Sequence, residues 1–209
     1  MSRSTRRSLS PQVRTLIPSP GGSRTVNCPV CPPFFIGPFA PGHIIPPGVV
    51  AALSTSVALH TILNPGDILG SPDFGFVDVR DVAEAQVAGI KTPGHHRVLI
   101  GGSEWFDLRD AVDHLTAARS ELKDRLANPV STGRTAPTVD NARVVNLLGV
   151  SVTPWKKSVE DGINDLLKVE KEWREAGVDP SVLQNNEMRY IFLAIGKMAS
   201  KATMSQAQV

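Results

Sequence analysis

The sequence predicts an α/β fold, and three observations support it. Short apolar runs alternate along the chain with longer stretches in which apolar residues recur at helical spacing. Turn residues, mostly proline and glycine, separate these segments. Hydrophobic residues make up 41% of the 209 residues, which is enough for a sizeable core.

Three apolar runs are predicted as short buried strands, at residues 25–31, 74–79 and 97–100. The first runs into a proline-rich loop, residues 32–47, whose six prolines exclude both a helix and a central strand. Pro47 suits the first turn of a helix, which we place at residues 47–63.

Apolar spacing and residues that favour helix ends predict five further helices, at residues 82–90, 105–126, 141–148, 158–173 and 181–199. Asp81 begins the first of these, with its carboxylate near the positive end of the helix dipole. Ser103 caps the second, and Gly149 stops the third. A polar loop is predicted at residues 128–137. The last helix has its apolar stripe on Met188, Ile191, Phe192, Ile195 and Met198.

Charge is unevenly distributed along the chain. Residues 1–66 carry five arginines and no lysine, and the first acidic residue is Asp67. The rest of the chain is mildly acidic, so no nucleic-acid partner is expected. Residues 1–24 are predicted as a disordered basic tail, although their composition also resembles a mitochondrial transit peptide.

The sequence shows neither a membrane span nor a secretory signal. No apolar run reaches the roughly 18 residues of a spanning helix, and no apolar signal segment follows the start. Two cysteines give no disulfide framework. We therefore expect a cytoplasmic protein without a membrane partner.

Cys28 and Cys31 form a CxxC motif, which is open to redox, zinc and structural interpretations. A redox pair needs its first thiol at a helix N-terminus, and a structural zinc needs four ligands. Neither condition is met, so we predict two buried strand cysteines and no metal site. His43, in the proline-rich loop, is predicted to be a solvated loop residue.

Asp78, Arg80 and Asp81 form a compact charged cluster where a predicted strand meets a predicted helix. One interpretation is a helix cap with a local ion pair. The other is a ligand crevice, since such junctions line ligand sites in α/β proteins.

Five blocks, taken in order, resemble extended short-chain dehydrogenases/reductases of the NAD-dependent epimerase/dehydratase group. They are VCPPFFIGP at 30–38, GFVDVRDVAEA at 75–85, then residues 97–108, 140–149 and 158–167. Within that group, the blocks resemble those of dihydroflavonol-reductase-like and aldehyde-reductase-like members. The resemblance covers about residues 24–173.

The resemblance implies only part of such an enzyme. In that family a Rossmann domain, a catalytic serine and a Tyr-x-x-x-Lys pair precede the proline-rich stretch. Here no glycine-rich dinucleotide fingerprint occurs, and the single tyrosine, Tyr190, has Ala194 four residues on. We therefore expect no catalytic residue, an incomplete Rossmann-type sheet remnant and a small mixed α/β substrate-binding lobe. Residues 25–173 would form this C-terminal portion, and residues 174–209 an extra helix and tail.

The resemblance also implies where ligands would bind. Pro32, Pro33 and Phe34 would border the nicotinamide of NADP or NAD. The substrate, a small carbonyl or hydroxyl compound, would contact the remaining predicted site residues, which are Phe35, Ile36, Gly37, Phe39, Asp78 and Arg80. Asp81 belongs to the same junction.

We expect this portion to be inactive alone, as a fragment of a reductase that binds its cofactor incompletely. One alternative is an oxidoreductase that borrows the missing half from another chain. The other is a non-catalytic interaction module, which would use apolar surface exposed on residues 25–31 and 47–63 where a Rossmann domain would dock.

Overall fold

The computed structural model describes residues 28–69, 75–130 and 138–183. Its strands are β1 (Val30–Cys31), β2 (Phe34–Ile36), β3 (Asp67–Leu69), β4 (Phe76–Asp78), β5 (Val98–Leu99) and β6 (Asn128–Val130). Its α-helices are α1 (Val57–Ile62), α2 (Val79–Lys91), α3 (Leu108–Ala118) and α4 (Trp155–Glu175). The fold is mixed α/β, as predicted. The predicted tail at 1–24 and most of the predicted helix at 181–199 lie outside the described residues. The last described element is a 3-10 turn, Pro180–Leu183.

The strands form three short parallel ladders, in which β1 pairs with β5, β2 with β4 and β3 with β6. The predicted strands at 74–79 and 97–100 are confirmed in their central residues, and the described end of the first predicted strand is β1. The proline-rich stretch was predicted as a loop without a helix or a central strand, but it contains a short strand that, among the described residues, has a neighbour on one side only. This strand, β2, forms because residues 34–36 lie between the prolines and their backbone pairs with β4. The predicted polar loop at 128–137 likewise begins with β6, while its residues 131–137 lie outside the described part.

The start of α2 lies earlier than predicted. The N-cap is Asp78, whose extended backbone (φ −70°, ψ 134°) lets its carboxylate accept a hydrogen bond from Arg80 N at 2.8 Å. The prediction that Asp81 begins this helix was therefore wrong. The helix spans Val79–Lys91, and Asp81 lies buried in its first turn.

The predicted helix at 105–126 is shorter and is capped elsewhere. Asp107 and Asp110 form a reciprocal capping box, with both hydrogen bonds at 2.9 Å, so Ser103 is not the cap. Helix α3 ends before Arg119, where the backbone leaves helical geometry (φ −134°, ψ 70°). A separate 3-10 turn, Ser120–Arg125, follows.

The predicted helix at 47–63 is also divided. It cannot start at Pro47 because Gly48 adopts a left-handed φ of 77°. A 3-10 segment, Val50–Ser56, comes first and breaks at Ser54 (φ 52°, ψ −132°), and α1 follows. The helix predicted at 158–173 is confirmed within α4. The helix predicted at 141–148 is partly confirmed by the π-helical turn Val144–Leu148, which ends at Gly149 with φ 69°.

Two apolar clusters form the core. The larger one joins α1, α3 and α4, and the smaller one joins α2, β5 and the turn Val144–Leu148. Helix α1 is almost wholly buried, so the prediction of exposed apolar surface at 47–63 was wrong for this helix. Cys28 and Cys31 are unpaired thiols and are half-buried rather than buried. None of the described helices is both long and apolar enough to cross a bilayer.

Candidate functional site

The carboxyl ends of β2 and β4 lie side by side, with Ile36 paired to Asp78. Gly37 follows β2 with a φ of +131°. A Cβ atom on this glycine would lie 3.4 Å from both carboxylate oxygens of Asp78 and 3.2 Å from a methyl group of Val79. The glycine therefore lets the turn after β2 pass directly over Asp78. Ile36, Gly37 and Asp78, which were predicted as site residues from two separate stretches of sequence, therefore lie together.

The Asp78 carboxylate is buried and fully hydrogen-bonded. Oδ1 accepts from Arg80 N at 2.8 Å and Nε at 2.9 Å, and Oδ2 accepts from Arg80 Nη2 at 2.7 Å and Ser158 Oγ at 2.6 Å. Burial opposes ionisation, but the hydrogen bonds from Arg80 and Ser158 outweigh it and hold the pKa of Asp78 below its ordinary value. Four donors use the acceptor capacity of one carboxylate. Asp78 therefore has no free acceptor for a ligand and lies beneath residues 35–39, which we call the wall.

Arg80 links the end of β4 to α4. Its Nη1 donates to Asp161 Oδ2 at 2.6 Å, and Lys157 Nζ donates to the same oxygen at 2.9 Å. The hydrogen bonds to Asp78, despite partial desolvation, raise the pKa of the Arg80 guanidinium above its usual range. All three guanidinium nitrogens thus have protein partners. The junction is both an N-cap and an ion-pair network.

Asp81 points to a different partner. Its carboxylate accepts hydrogen bonds from Thr153 N and Thr153 Oγ1, each at 2.7 Å. Burial raises the pKa of Asp81 above its ordinary value, although the bonds from Thr153 oppose the rise. This contact fixes the segment before α4 against the first turn of α2.

Residues 35–39 form the accessible edge of the junction. The Phe35 side chain is 36% exposed, and the rings of Phe39 and His43 stack with centroids 5.9 Å apart. Phe39 N donates to Asp165 Oδ2 at 2.9 Å. Ile36 and Gly37, by contrast, are buried. Of these predicted substrate-binding residues, Phe35 is exposed, Phe39 is half-buried against the core, and Ile36 and Gly37 lie beneath them.

Pro32 and Pro33 connect β1 to β2, and Phe34 is the first residue of β2; all three are half-buried. The prolines have no N–H, so this connection offers apolar ring surface and carbonyl oxygens. His43 lies exposed on the following loop, as the sequence predicted.

A small cavity of about 10 Å³ lies behind the wall. Ile36, Phe76, Asp78, Phe106, Trp155 and Ser158 are among its lining residues. This volume suits about one water molecule. The cavity is therefore too small to hold a substrate. Within the described residues, no three histidine, cysteine or acidic side chains are grouped as metal ligands would be.

Sequence reasoning missed the contribution of α4. Ser158, Asp161 and Asp165 all contact the junction or the segment after β2. A Cβ atom on Gly162, between them, would lie 3.2 Å from Gly37 O. These four positions share one helix face, since they are separated by three or four residues. Small polar residues at that spacing beside an apolar stripe were the available signal.

Asn141 is a second missed contributor. Its side-chain amide donates to Gly101 O at 3.0 Å and accepts from Gly101 N at 3.0 Å. The side chain thus pairs with the backbone after β5 as a neighbouring strand would.

Comparison with solved structures relates this arrangement to a reductase. The NADPH complex of Gre2 from Candida albicans is 25% identical, with a TM-score of 0.54, and the match covers 67% of this chain and 43% of that one. A second structure of Gre2 from the same organism is 24% identical, with a TM-score of 0.56 over 68% and 44% of the two chains. This chain shares part of a Rossmann-like reductase fold.

A curated relative agrees with this relationship. An uncharacterized oxidoreductase of Schizosaccharomyces pombe is 34% identical over 101 residues, which are 46% of this chain and 29% of the relative. No protein-family profile matches the chain. The chain therefore spans less than half the length of these relatives and aligns with part of an oxidoreductase.

Proposed function

We propose that this chain is the C-terminal, substrate-binding portion of an NAD(P)-dependent oxidoreductase acting on small carbonyl or hydroxyl compounds. The supporting observation is the segment 35–39, held over the carboxyl ends of the parallel strands β2 and β4. Ligands of α/β proteins bind at such carboxyl ends. The likeness to the NADPH-bound reductase supports the same assignment.

We assign the site residues by their accessibility. Phe35 and Phe39 would contact the apolar part of the substrate, with Ile36 and Gly37 forming the backing of that wall. Asp78 and Arg80 would position the wall rather than bind the substrate, because their polar atoms are engaged with one another and with α4.

Pro32, Pro33 and Phe34 would border the nicotinamide ring. Their half-buried apolar surface at the carboxyl end of β1 fits one face of such a ring. A bound nicotinamide would exchange a hydride with the substrate carbon. The sequence offers no glycine-rich loop for the cofactor phosphates and no Tyr-x-x-x-Lys pair for the proton. We therefore propose that this chain does not complete the reaction alone.

Two measurements test this proposal. Titration of the purified chain with NADPH, followed by tryptophan fluorescence, should show no saturable binding at micromolar concentration. A chimera should carry residues 28–183 in place of the aligned portion of Candida albicans Gre2, and it should bind NADPH and reduce an aliphatic aldehyde. A chimera that binds NADPH but reduces no aldehyde would refute the assignment as a substrate-binding portion.

A second candidate function is a non-catalytic interaction module. Val87 and Ile90 are exposed on the outer side of α2, and Leu99 is exposed on β5. Such apolar residues can mark a protein contact when they are contiguous. Light scattering after size-exclusion chromatography tests this alternative, since a monodisperse monomer that captures no partner would count against it.

A further inference from the structure

The wall is held at both ends by side chains from other parts of the fold. At its far end, Asp165 on α4 accepts a hydrogen bond from Phe39 N. At its near end, Thr55 Oγ1 donates a hydrogen bond to Phe35 O. Thr55 is half-buried and belongs to the 3-10 segment Val50–Ser56. Two different elements therefore anchor the two ends of the wall.

The bond from Thr55 adds to what strand pairing provides for Phe35. Within the described part of the chain, β2 has one strand neighbour, β4, and Phe35 pairs there with Val77. The Thr55 hydroxyl lies outside this ladder, on a segment that packs against β2. The Phe35 side chain is exposed, so neighbouring side chains enclose its ring only in part. The position of the ring therefore depends strongly on the backbone that carries it.

The chain adopts a costly conformation directly before Thr55. Ser54 has φ 52° and ψ −132°, and it is the only described residue other than glycine with a positive φ. Such strain persists where the surrounding structure holds it, and it is concentrated at functional sites. Leu53 and Ser56 are buried on either side of Ser54. The strained turn thus lets these two residues enter the core while Thr55 reaches Phe35.

We propose that Thr55 is a positioning residue of the substrate site, whose hydroxyl fixes the backbone of Phe35 and thereby sets the place of the Phe35 ring against the substrate. This assignment rests on the proposed function, in which Phe35 contacts the apolar part of the substrate. Thr55 acts through Phe35 and takes no part in hydride or proton transfer. Loss of its hydroxyl should therefore weaken substrate binding and leave the chemical step unchanged.

Hydrogen–deuterium exchange of the full chain, read by mass spectrometry, tests the anchoring. Thr55→Val removes the hydroxyl and keeps the side-chain shape, and it should speed exchange in residues 34–39 by about fivefold. Thr55→Ser keeps the hydroxyl and should preserve the slower exchange. Thr116→Val is the matched control on α3, where it removes a hydrogen bond from Thr116 Oγ1 to Val112 O. This control should leave residues 34–39 unchanged.

Steady-state kinetics of the Gre2 chimera that carries residues 28–183 test the effect on the substrate, with hexanal as the probe. Thr55→Val should raise the KM for hexanal about fivefold and change kcat by less than about twofold. Thr55→Ser should restore the KM, and Thr116→Val should leave it unchanged. A loss of folded enzyme alone would lower the apparent kcat without changing the KM.

Three outcomes would overturn the proposal. Unchanged exchange at residues 34–39 in Thr55→Val would show that the hydroxyl does not anchor the wall. Faster exchange with an unchanged KM in an active chimera would show that the contact only stabilises the fold. An unmodified chimera that reduces no aldehyde would refute the proposed function, and the substrate role of Thr55 with it, even where exchange confirms the anchoring. Circular dichroism of each variant verifies that it is folded.

Discussion

Ser158 Oγ donates a 2.6 Å hydrogen bond to Asp78 Oδ2 inside the protein, and so joins the first turn of α4 to the end of β4. The same carboxylate caps α2 and pairs with Arg80. One buried side chain thus fixes two helices and a strand below the proposed substrate wall. The first prediction concerns this carboxylate.

Asp78→Asn should destabilise the protein by about 2–4 kcal/mol, because it removes a buried, charge-assisted set of hydrogen bonds. Ser158→Ala, which removes one of the four donors, should cost about 1 kcal/mol. Urea denaturation followed by circular dichroism measures both. Equal losses for the two variants would show that the Arg80 contacts contribute little.

Asp78 also makes stability depend on pH. Its folded pKa lies below the unfolded value of about 3.8, so its contribution is complete above that value. This contribution is lost as the pH falls from about 3.8 through the lower folded pKa. The acid limb of a stability–pH curve should therefore be less steep in Asp78→Asn than in the unmodified protein. Parallel curves for the two proteins would contradict the assigned pKa shift.

Gly37→Ala should destabilise the protein by about 2–3 kcal/mol, since a φ of +131° is unfavourable for a side chain and the added Cβ would crowd Val79. Gly42→Ala is the matched control. Its φ of +77° is also positive, but no atom lies within 4 Å of the added Cβ, so the cost should be about 1 kcal/mol. Thermal unfolding of the two variants measures the difference. A control as unstable as Gly37→Ala would mean that crowding at the junction is unimportant.

His60→Phe should weaken the pH dependence of stability below about pH 6.5. His60 is buried on α1 without a hydrogen bond to either ring nitrogen, and its Nε2 lies 3.6 Å from Glu170 Oε1. Burial lowers its pKa, although the Glu170 charge opposes this. The unfolded state therefore takes up the proton first, and stability is lost as the pH falls below about 6.5. Urea midpoints across this range, with His43→Phe as a control for removal of a histidine, provide the measurement.

Asp165→Ala should loosen the segment after β2 without unfolding the protein. Loss of the bond from Phe39 N should speed exchange of that amide by about five- to thirtyfold, which corresponds to 1–2 kcal/mol. Asp113→Ala removes an exposed acidic residue on α3 that pairs with Arg109, and it should leave the Phe39 amide unaffected. NMR-detected exchange distinguishes the two. If the exchange rate of the Phe39 amide does not change in Asp165→Ala, Asp165 does not anchor this segment.

The sequence predicts the α/β class and the long helix α4 because a regular apolar stripe is a local signal. It does not predict β2, because that strand exists through pairing with residues more than forty positions away. The sequence likewise does not decide whether Asp78 or Asp81 caps the helix α2. Both are aspartates near the helix start, and only the extended backbone of Asp78 separates them.

In the candidate site, too, local features could be predicted from the sequence and contacts between distant residues could not. The closeness of Asp78 and Arg80 follows from their separation of two residues. The role of Asp165 does not, because its contact with Phe39 crosses 126 residues. The reductase relationship was available from the order of five short blocks, each of which is weak alone.

All three ladders of the described part are parallel, and this governs how the chain can fold. A parallel pair cannot close through a tight hairpin, and here each pair joins residues more than forty positions apart. Loop closure must therefore precede any strand pairing, which favours folding in milliseconds to seconds. During synthesis, Asp67 must wait until Asn128 has left the ribosome before their ladder can form. Until then the apolar residues that these ladders bury remain exposed on the nascent chain.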